Sequence, residues 1–272
     1  PHGLHRMAYT EWGDPANPRV LLCVHGLTRN GRDFDDLART LASHYRVVCP
    51  DVVGRGRSAW LPVKDDYQLP TYVADMVTLI ARLDVDSVHW VGTSMGGLIG
   101  MLLASLPDTP IRRLVLNDVG PLVTLSSIQR IGQYVGQAPV FPSREAAEAY
   151  IREVSVPFGR LSDAQWRHLT EFSIREAEGG WVMRYDPGIA EPFRKSPLVA
   201  DVDLWSVYDA IVCPTLVVRG AESDLLLRET ALEMGARGPR ARLVEVPEVG
   251  HAPMLMEPAQ IAPIGDFLLE AD

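Results

Sequence analysis

The chain has 272 residues, of which 47% are apolar and 22% charged, and its formal charge is −9. This suits one large domain, or a domain carrying an insertion, with length enough to bury a sizeable core. It speaks against a broad nucleic-acid or anionic-membrane surface, and no apolar run approaches the roughly 20 residues of a membrane-spanning helix. Weak alternation over His5–Trp12, closed by Gly13-Asp14-Pro15, predicts an N-terminal strand. Val20–Val24 is a short, continuously apolar run, the pattern of a strand buried on both faces, and it ends in His25-Gly26-Leu27-Thr28. Asp33–His44 has helical spacing through Phe34, Leu37, Ala38 and Leu41. Val47-Val48-Cys49 is a second buried strand, running into the glycine-punctuated loop Pro50–Ser58. A helix is predicted over Thr71–Leu83, with Val73, Val77, Ile80 and Ala81 on one face. A strand over Val88–Val91, a helix apolar nearly all round over Gly97–Leu106 and a strand over Arg113–Asn117 follow.

Strands alternating with helices imply a parallel sheet covered on both faces. The rhythm stops at about Pro121. From there to Trp205 no buried strand is evident, while Ser143–Val154 and Ser162–Glu178 look helical, with Ser143 and Ser162 as N-caps. It resumes with a strand at Pro214–Arg219, a helix at Arg228–Met234, a strand at Arg242–Val246, the loop Pro247–Glu257 and a helix at Pro258–Leu269. The chain therefore reads as an α/β core in two parts, residues 1–120 and 206–272, interrupted by a mostly helical insertion over 121–205.

Cys23, Cys49 and Cys213 lie in or beside apolar strand-like runs, without metal-ligand spacing, and read as reduced packing residues. No leader-like stretch is visible at Pro1–Thr10. The expectation is a reducing, cytoplasmic compartment; the first residue given is proline, so export from a longer natural start stays open.

The most informative stretch is Val88–Gly97, where an apolar run ends in Gly92-Thr93-Ser94-Met95-Gly96 and a helix follows. In that context a Gly-x-Ser-x-Gly pentapeptide reads as a nucleophile elbow. The serine sits on a sharp turn, the glycines leave room beside it, and the helix N-terminus aims free N–H groups at developing negative charge. A serine hydroxyl needs a base that is neutral near pH 7 and can return the proton, which favours histidine. Of the seven histidines, His251 follows the last strand and stands at the sheet edge where α/β folds gather their catalytic groups. His2, His5, His44 and His168 read as solvated, His89 as a packing residue and His25 as one that holds its loop by hydrogen bonds. The acid that orients the base is taken as Asp224, in the glycine-started acidic loop Gly220–Asp224, because Ser94, Asp224, His251 is the chain order of α/β-hydrolases. Asp118, after the preceding strand, is the alternative, and Glu222 is third. Two backbone N–H groups are expected to form an oxyanion hole, those of Met95 and of Leu27.

Together, the His25-Gly26 loop, the Asp51…Gly54-x-Gly56-x-Ser58 loop, the elbow at Ser94, the aspartate loop and Gly250-His251 resemble the α/β-hydrolase superfamily, in its serine-nucleophile, esterase-like branch. The resemblance covers nearly the whole chain except the insertion. It implies an eight-stranded, mostly parallel sheet, with one strand before Val20 not evident here, and it makes Pro121–Trp205 a helical cap over the active site. Haloalkane dehalogenases and many epoxide hydrolases carry an elbow aspartate, from which Ser94 departs; Thr93 and Met95 do not match the Gly-Gly-Ser-Trp-Gly of proline iminopeptidases.

The implied activity is hydrolysis of carboxylic esters of small or medium acyl groups through an acyl-enzyme, on a small-molecule substrate, with no metal and no organic cofactor. A lactone or thioester hydrolase would look the same. A carbon–carbon bond hydrolase for vinylogous diketones should carry an arginine-bearing pocket, with Arg29, Arg130 and Arg219 as candidates. A non-catalytic small-molecule receptor of this fold is the reading from another class. Half of the aromatic residues lie in Pro121–Trp205, among them Phe141, Phe158, Trp166, Phe172, Trp181, Tyr185, Phe193 and Trp205. They form either an apolar roof for the substrate or the packing of a thin helical layer, and Trp166 and Trp181 are expected to influence acyl-length preference.

Overall fold

The computed structural model describes residues 3–195 and 199–271; His2, expected to be solvated, lies outside the described residues. The first part of the chain supplies strands β1 (Ala8–Trp12), β2 (Val20–Val24), β3 (Arg46–Asp51), β4 (Val88–Thr93) and β5 (Ile111–Asn117), with helices α1 (Asp35–Leu41), α2 (Leu69–Leu83) and α3 (Met95–Ala104). The inserted segment carries β6 (Leu122–Val123), α4 (Leu125–Gly132), β7 (Val140–Phe141), α5 (Arg144–Val154), α6 (Asp163–Ser173), β8 (Ile174–Ala177), β9 (Gly180–Met183), α7 (Glu191–Lys195) and β10 (Val202–Asp203). The last part supplies α8 (Trp205–Asp209), β11 (Thr215–Gly220), α9 (Arg228–Met234), β12 (Arg242–Val246) and α10 (Pro258–Leu269).

Seven strands form the central sheet in the order β1-β3-β2-β4-β5-β11-β12. β1 runs antiparallel to β3, and every other pairing is parallel. Side chains alternate between the two faces of a strand, so these continuous apolar runs feed two cores. Leu22, Val24, Val48 and Trp90 pack with α2, α3 and α8 through Met76, Ile99 and Tyr208. Leu21, Cys23, Val47, Cys49 and Val91 pack on the other face with α1 and α10 through Leu37, Ile264 and Phe267. The sheet edge left uncovered by these helices is the one to which the loops after β2, β4, β5, β11 and β12 belong.

α2 begins two residues earlier than the spacing predicts, with Pro70 in its first turn, where a missing N–H leaves no bond unmade. Its buried stripe runs through Tyr72, Met76, Leu79, Ile80 and Leu83, whereas Val77, expected on the inner face, is 49% exposed. The larger apolar groups at positions 72 and 76 rotate the helix away from the Val73–Val77 register.

The inserted segment is less helical than its sequence suggests. α6 starts where expected, under a capping box in which Ser162 and Gln165 satisfy each other's backbone. It ends at Ser173 instead of continuing to Glu178. Ile174–Ala177 forms β8, which turns at Gly179-Gly180, both at positive φ, into β9, and β9 also pairs with β7. These strands escape sequence reading because they are short and only partly buried.

β6 pairs with β10, Val123 opposite Val202, so the two ends of the segment meet. A second junction joins it to the glycine loop after β3: Gly56 N–H donates to Arg184 O at 2.9 Å, Asp186 N–H donates to Gly54 O at 2.7 Å, and Arg55 and Tyr185 form an antiparallel bridge. Lys64 and Tyr67 also bond the Asp186 carboxylate. Inside the segment Ala147, Ile151, Trp166, Leu169 and Ile174 form a small core, which reaches Met254 and Met256 of the main body. Among the described residues no helix is long and apolar enough to cross a membrane.

Candidate active site

Ser94 sits between β4 and α3 with φ 51° and ψ −116°, a conformation that costs strain for any residue with a Cβ. The glycines around it are sterically required. A Cβ on Gly96 would lie 1.9 Å from Val24 O, and one on Gly92 would lie 2.3 Å from Gly96 O. The elbow thus presses against β2, and the loop after β2 runs beside the serine: a Cβ on Gly26 would stand 3.6 Å from Ser94 Cβ.

His251 lies on the loop after β12, which the inserted segment steadies through Gly250 N–H donating to Pro157 O at 2.7 Å. Its Nε2 is 3.0 Å from Ser94 Oγ, and its Nδ1 is 2.8 Å from Oδ2 of Asp118. Asp118 is fully buried at φ 54°, a left-handed conformation that aspartate tolerates better than most residues. Its carboxylate accepts three bonds: from His251, from Ser223 Oγ at 2.6 Å and from Gly220 N–H at 2.8 Å. Burying a carboxylate is costly unless its oxygens are paired in this way.

Asp224, favoured above as the acid, does not meet His251; the carboxylate bonded to that ring is that of Asp118. The loops after β5 and β11 are neighbours in the sheet, and Asp118 N–H donates to Val218 O, so both aspartates start near the same edge. Asp118 turns inward and Asp224 turns outward. Asp224 is half exposed and pairs with Arg130 of α4, at 2.5 Å from Nε and 2.9 Å from Nη2. Glu222, the third choice, is exposed. Sequence reasoning missed Ser223, which precedes Asp224 in the loop after β11 and bonds the Asp118 carboxylate instead.

Of the two expected oxyanion donors, Met95 follows Ser94 directly, and Leu27 follows Gly26, the residue beside Ser94. Met95 opens α3, so its N–H has no intrahelical acceptor. Leu27 lines the same cavity as Ser94. Its carbonyl accepts from Nε of Arg55 at 2.8 Å. Arg55 is completely buried, donates also to Val53 O and Tyr72 Oη, and has no carboxylate partner among the described residues. It stands against the rings of Tyr67 and Tyr72, whose π-faces favour the cation.

His25 holds its loop as the sequence suggests. Val52 N–H donates to Nε2 at 2.9 Å, so the ring proton is on Nδ1 and is donated to Gly26 O at 2.7 Å. Burial pushes its pKa down from 6.5 to about 3. His44 is exposed, but His5 pairs with Asp75 at 2.9 Å, and His168 meets Arg32 O at 3.1 Å. His89 packs against the ring of Tyr45, whose hydroxyl is 2.9 Å from Nδ1.

The cavity at Ser94 is lined in part by Ile131, Tyr134, Tyr150, Val154, Phe158 and Tyr185 of residues 121–205. Trp166 and Trp181 do not line it; Trp166 belongs to the small core of the segment, and Arg144 covers the Trp181 ring. Burial pushes the Tyr134 phenol up, against the opposing pull of Arg130, and pushes up the Tyr185 phenol as well, so both offer neutral hydroxyls. Of the three candidate arginines, Arg29 and Arg130 line the cavity. Arg29 is locked in a bidentate pair with Asp33 and bonds Ser173. Arg219 instead braces the loop after β11 through Ala221, Ser223 and Leu226 carbonyls.

Comparison with known proteins agrees with this architecture. A family model described as alpha/beta hydrolase family matches residues 21–264. A Cupriavidus necator protein named 3-hydroxybutyrate-oligomer hydrolase is 56% identical over 279 residues, covering 100% of this chain and 95% of that protein. The crystal structure of an alpha/beta hydrolase from Novosphingobium aromaticivorans superposes with a TM-score of 0.86 at 38% identity, covering 98% of this chain and 99% of that one. A Rickettsia typhi structure reaches a TM-score of 0.92 at 34% identity, covering 98% and 92%. From its sheet, its elbow and these relatives, the chain belongs to the α/β hydrolase family and is an esterase-like hydrolase.

Proposed function

We propose that this chain is a serine esterase that cleaves carboxylic esters through an acyl-enzyme, with short oligoesters of hydroxy acids as its substrate class. The observation that carries the reading is the line of hydrogen bonds from Asp118 through His251 to Ser94, at 2.8 and 3.0 Å. Ser94 Oγ attacks the ester carbonyl while His251 Nε2 takes its proton, and Asp118 fixes the tautomer and stabilises the imidazolium. The N–H groups of Leu27 and Met95 hold the oxyanion; each such donor is worth about 10²–10³ in kcat. His251 returns the proton to the leaving alkoxide, and water then releases the acyl group by the reverse sequence.

Residues 121–205 act as a cap that keeps water from the cavity and shapes the acyl site. The substrate class is supported by the full-length identity to the 3-hydroxybutyrate-oligomer hydrolase. Three buried, unbridged cysteines support a reducing, cytoplasmic setting. The test is a burst assay with p-nitrophenyl butyrate, followed by a panel of hydroxy-acid dimers, lactones, thioesters and dienol ketones. A burst with highest kcat/KM on the hydroxy-acid dimers is expected. Faster turnover of the dienol ketones would replace this reading by carbon–carbon hydrolysis.

A further inference from the structure

The charged groups lining the Ser94 cavity differ in how firmly they are held. Arg29 and Asp33 are nearly buried, with side chains 12% and 11% exposed, and their pair is bidentate. Breaking it would strand two charges away from water, which is costly. Arg130 is different. Its side chain lines the cavity yet is 33% exposed, and its partner Asp224 is 52% exposed and does not line the cavity. Arg130 therefore borders the cavity and the solvent at once, while its carboxylate partner lies outside the lining.

We propose that Arg130 is a carboxylate-exchange site, in which the free carboxylate of an oligoester substrate enters from the cavity and displaces Asp224. An exposed ion pair of this kind contributes only about 0–1 kcal/mol. Exchanging one carboxylate for another keeps the charge-assisted bonds to the guanidinium and returns Asp224 to water. A carboxylate inside the cavity is less solvated than Asp224, so the same two bonds are stronger for it. Of the two guanidiniums there, only that of Arg130 has its carboxylate partner outside the lining, and no lysine among the described residues lines the cavity, which fits a planar monoanion better than a phosphate dianion.

Local helix geometry supports the site. Arg130 and Ile131 on α4, with Tyr134 one turn on from Arg130, all line the cavity. The Tyr134 hydroxyl, kept neutral by burial, stands beside the guanidinium and can donate to the second carboxylate oxygen or to the neighbouring ester carbonyl.

This proposal rests on the esterase reading and adds an orientation to it. In a hydroxy-acid dimer the free carboxylate belongs to the alcohol half of the scissile ester. Arg130 thus holds the leaving group. The bond from Ser94 Oγ to the acyl carbon forms, the bond from that carbon to the alkoxy oxygen breaks, and the Ser94 proton passes through His251 to the departing oxygen. The hydroxy acid then leaves as an anion, and Asp224 takes back Arg130.

The experiment compares kcat/KM for the dimer 3-hydroxybutyryl-3-hydroxybutyrate as free acid and as its methyl ester, in the wild type, Arg130→Gln and Asp224→Asn. The wild type should prefer the acid by about tenfold or more, the ratio given by one charge-assisted pair. Arg130→Gln should cut that preference by about tenfold, mainly through KM on the acid. Asp224→Asn, which removes the competitor, should raise it. Opposite shifts in the two variants are the signature. If the pair is only a latch between the inserted segment and the core, both variants lose activity on both substrates in parallel and the proposal is overturned. An unchanged acid-to-ester ratio overturns it as well, while leaving the esterase reading intact. Turnover of neither substrate by the wild type defeats the esterase reading, and this site with it.

Discussion

Asp118 Oδ2 lies 2.8 Å from Nδ1 of His251 and 2.6 Å from the hydroxyl of Ser223. Asp118→Asn should lower kcat by about 10⁴-fold, because an amide no longer enforces the tautomer that leaves Nε2 free to accept from Ser94. On a neutral ester the loss at Asp118 should exceed that of Asp224→Asn by at least about a hundredfold. Steady-state kinetics on p-nitrophenyl butyrate checks both, and a dead Asp224 variant with a healthy Asp118 variant reverses the assignment.

Ser94→Ala should keep the fold and lose about 10⁴-fold or more in kcat, since no other group can carry the acyl chain. A fluorophosphonate should label Ser94 in the wild type, and mass spectrometry of the modified peptide identifies the site. A label on another residue would contradict the acyl-enzyme.

Arg55 invites a test that separates positioning from stability. Arg55→Met leaves the Leu27 and Val53 carbonyls without their charged donor, and each buried acceptor so orphaned costs about 1–3 kcal/mol. Urea denaturation should show that loss. Among molecules that remain folded, kcat should fall more than KM rises, because the loop that carries the Leu27 N–H is no longer held. Arg55→Lys keeps the charge but not the fork, and should recover part of the stability and less of the rate. A methionine variant as stable and active as the parent would remove Arg55 from the argument.

His25 makes stability depend on pH. Its folded pKa, about 3, lies below the ordinary 6.5. Between those values the unfolded chain binds a proton at this side chain and the folded chain does not, so stability falls as pH drops from about 6.5 towards 3. One such group contributes a slope of up to about 1.4 kcal/mol per pH unit in that window. Denaturation of the wild type and His25→Gln between pH 4.5 and 7 should show the shallower slope in the variant; parallel slopes would show that His25 does not carry the effect.

Acyl-length preference should follow the residues that line the cavity. Val154→Trp, on α5 above Ser94, should narrow the site and favour the shortest acyl groups. Trp181→Ala should leave the preference unchanged, since that ring lies outside the lining. A chain-length series of p-nitrophenyl esters reads both.

The inner strands β2, β3, β4, β5 and β11 were legible in the sequence because they are buried nearly throughout and so appear as apolar runs, each with a loop after it. The elbow was legible for a steric reason: at Gly92 and Gly96 no side chain fits. What stayed hidden was decided by contacts between distant segments. Asp118 and Asp224 follow adjacent strands, and only the donors that surround each one tell them apart: Ser223 and Gly220 around Asp118, and Arg130 of the inserted segment beside Asp224. Arg55 reads as one letter of a glycine loop, and its burial against Leu27 and Tyr72 has no local signature. The strands β7, β8 and β9 are short and half exposed, so they carry neither the period nor the apolar density of a strand.

The bridge between Arg55 and Tyr185 sets where this chain can be recombined. Gly54 O and Gly56 N–H find their partners in residues 184–186, beyond the β8–β9 hairpin. A chimera that exchanges residues 121–205 for the equivalent stretch of a relative therefore imports or loses the partners of the glycine loop, and with them the setting of the arginine that grips Leu27. Crossovers that replace α4 and α5 but retain the native residues from β8 to Asp186 keep that junction whole, and make the first half of the insertion the exchangeable cassette for new acyl specificities.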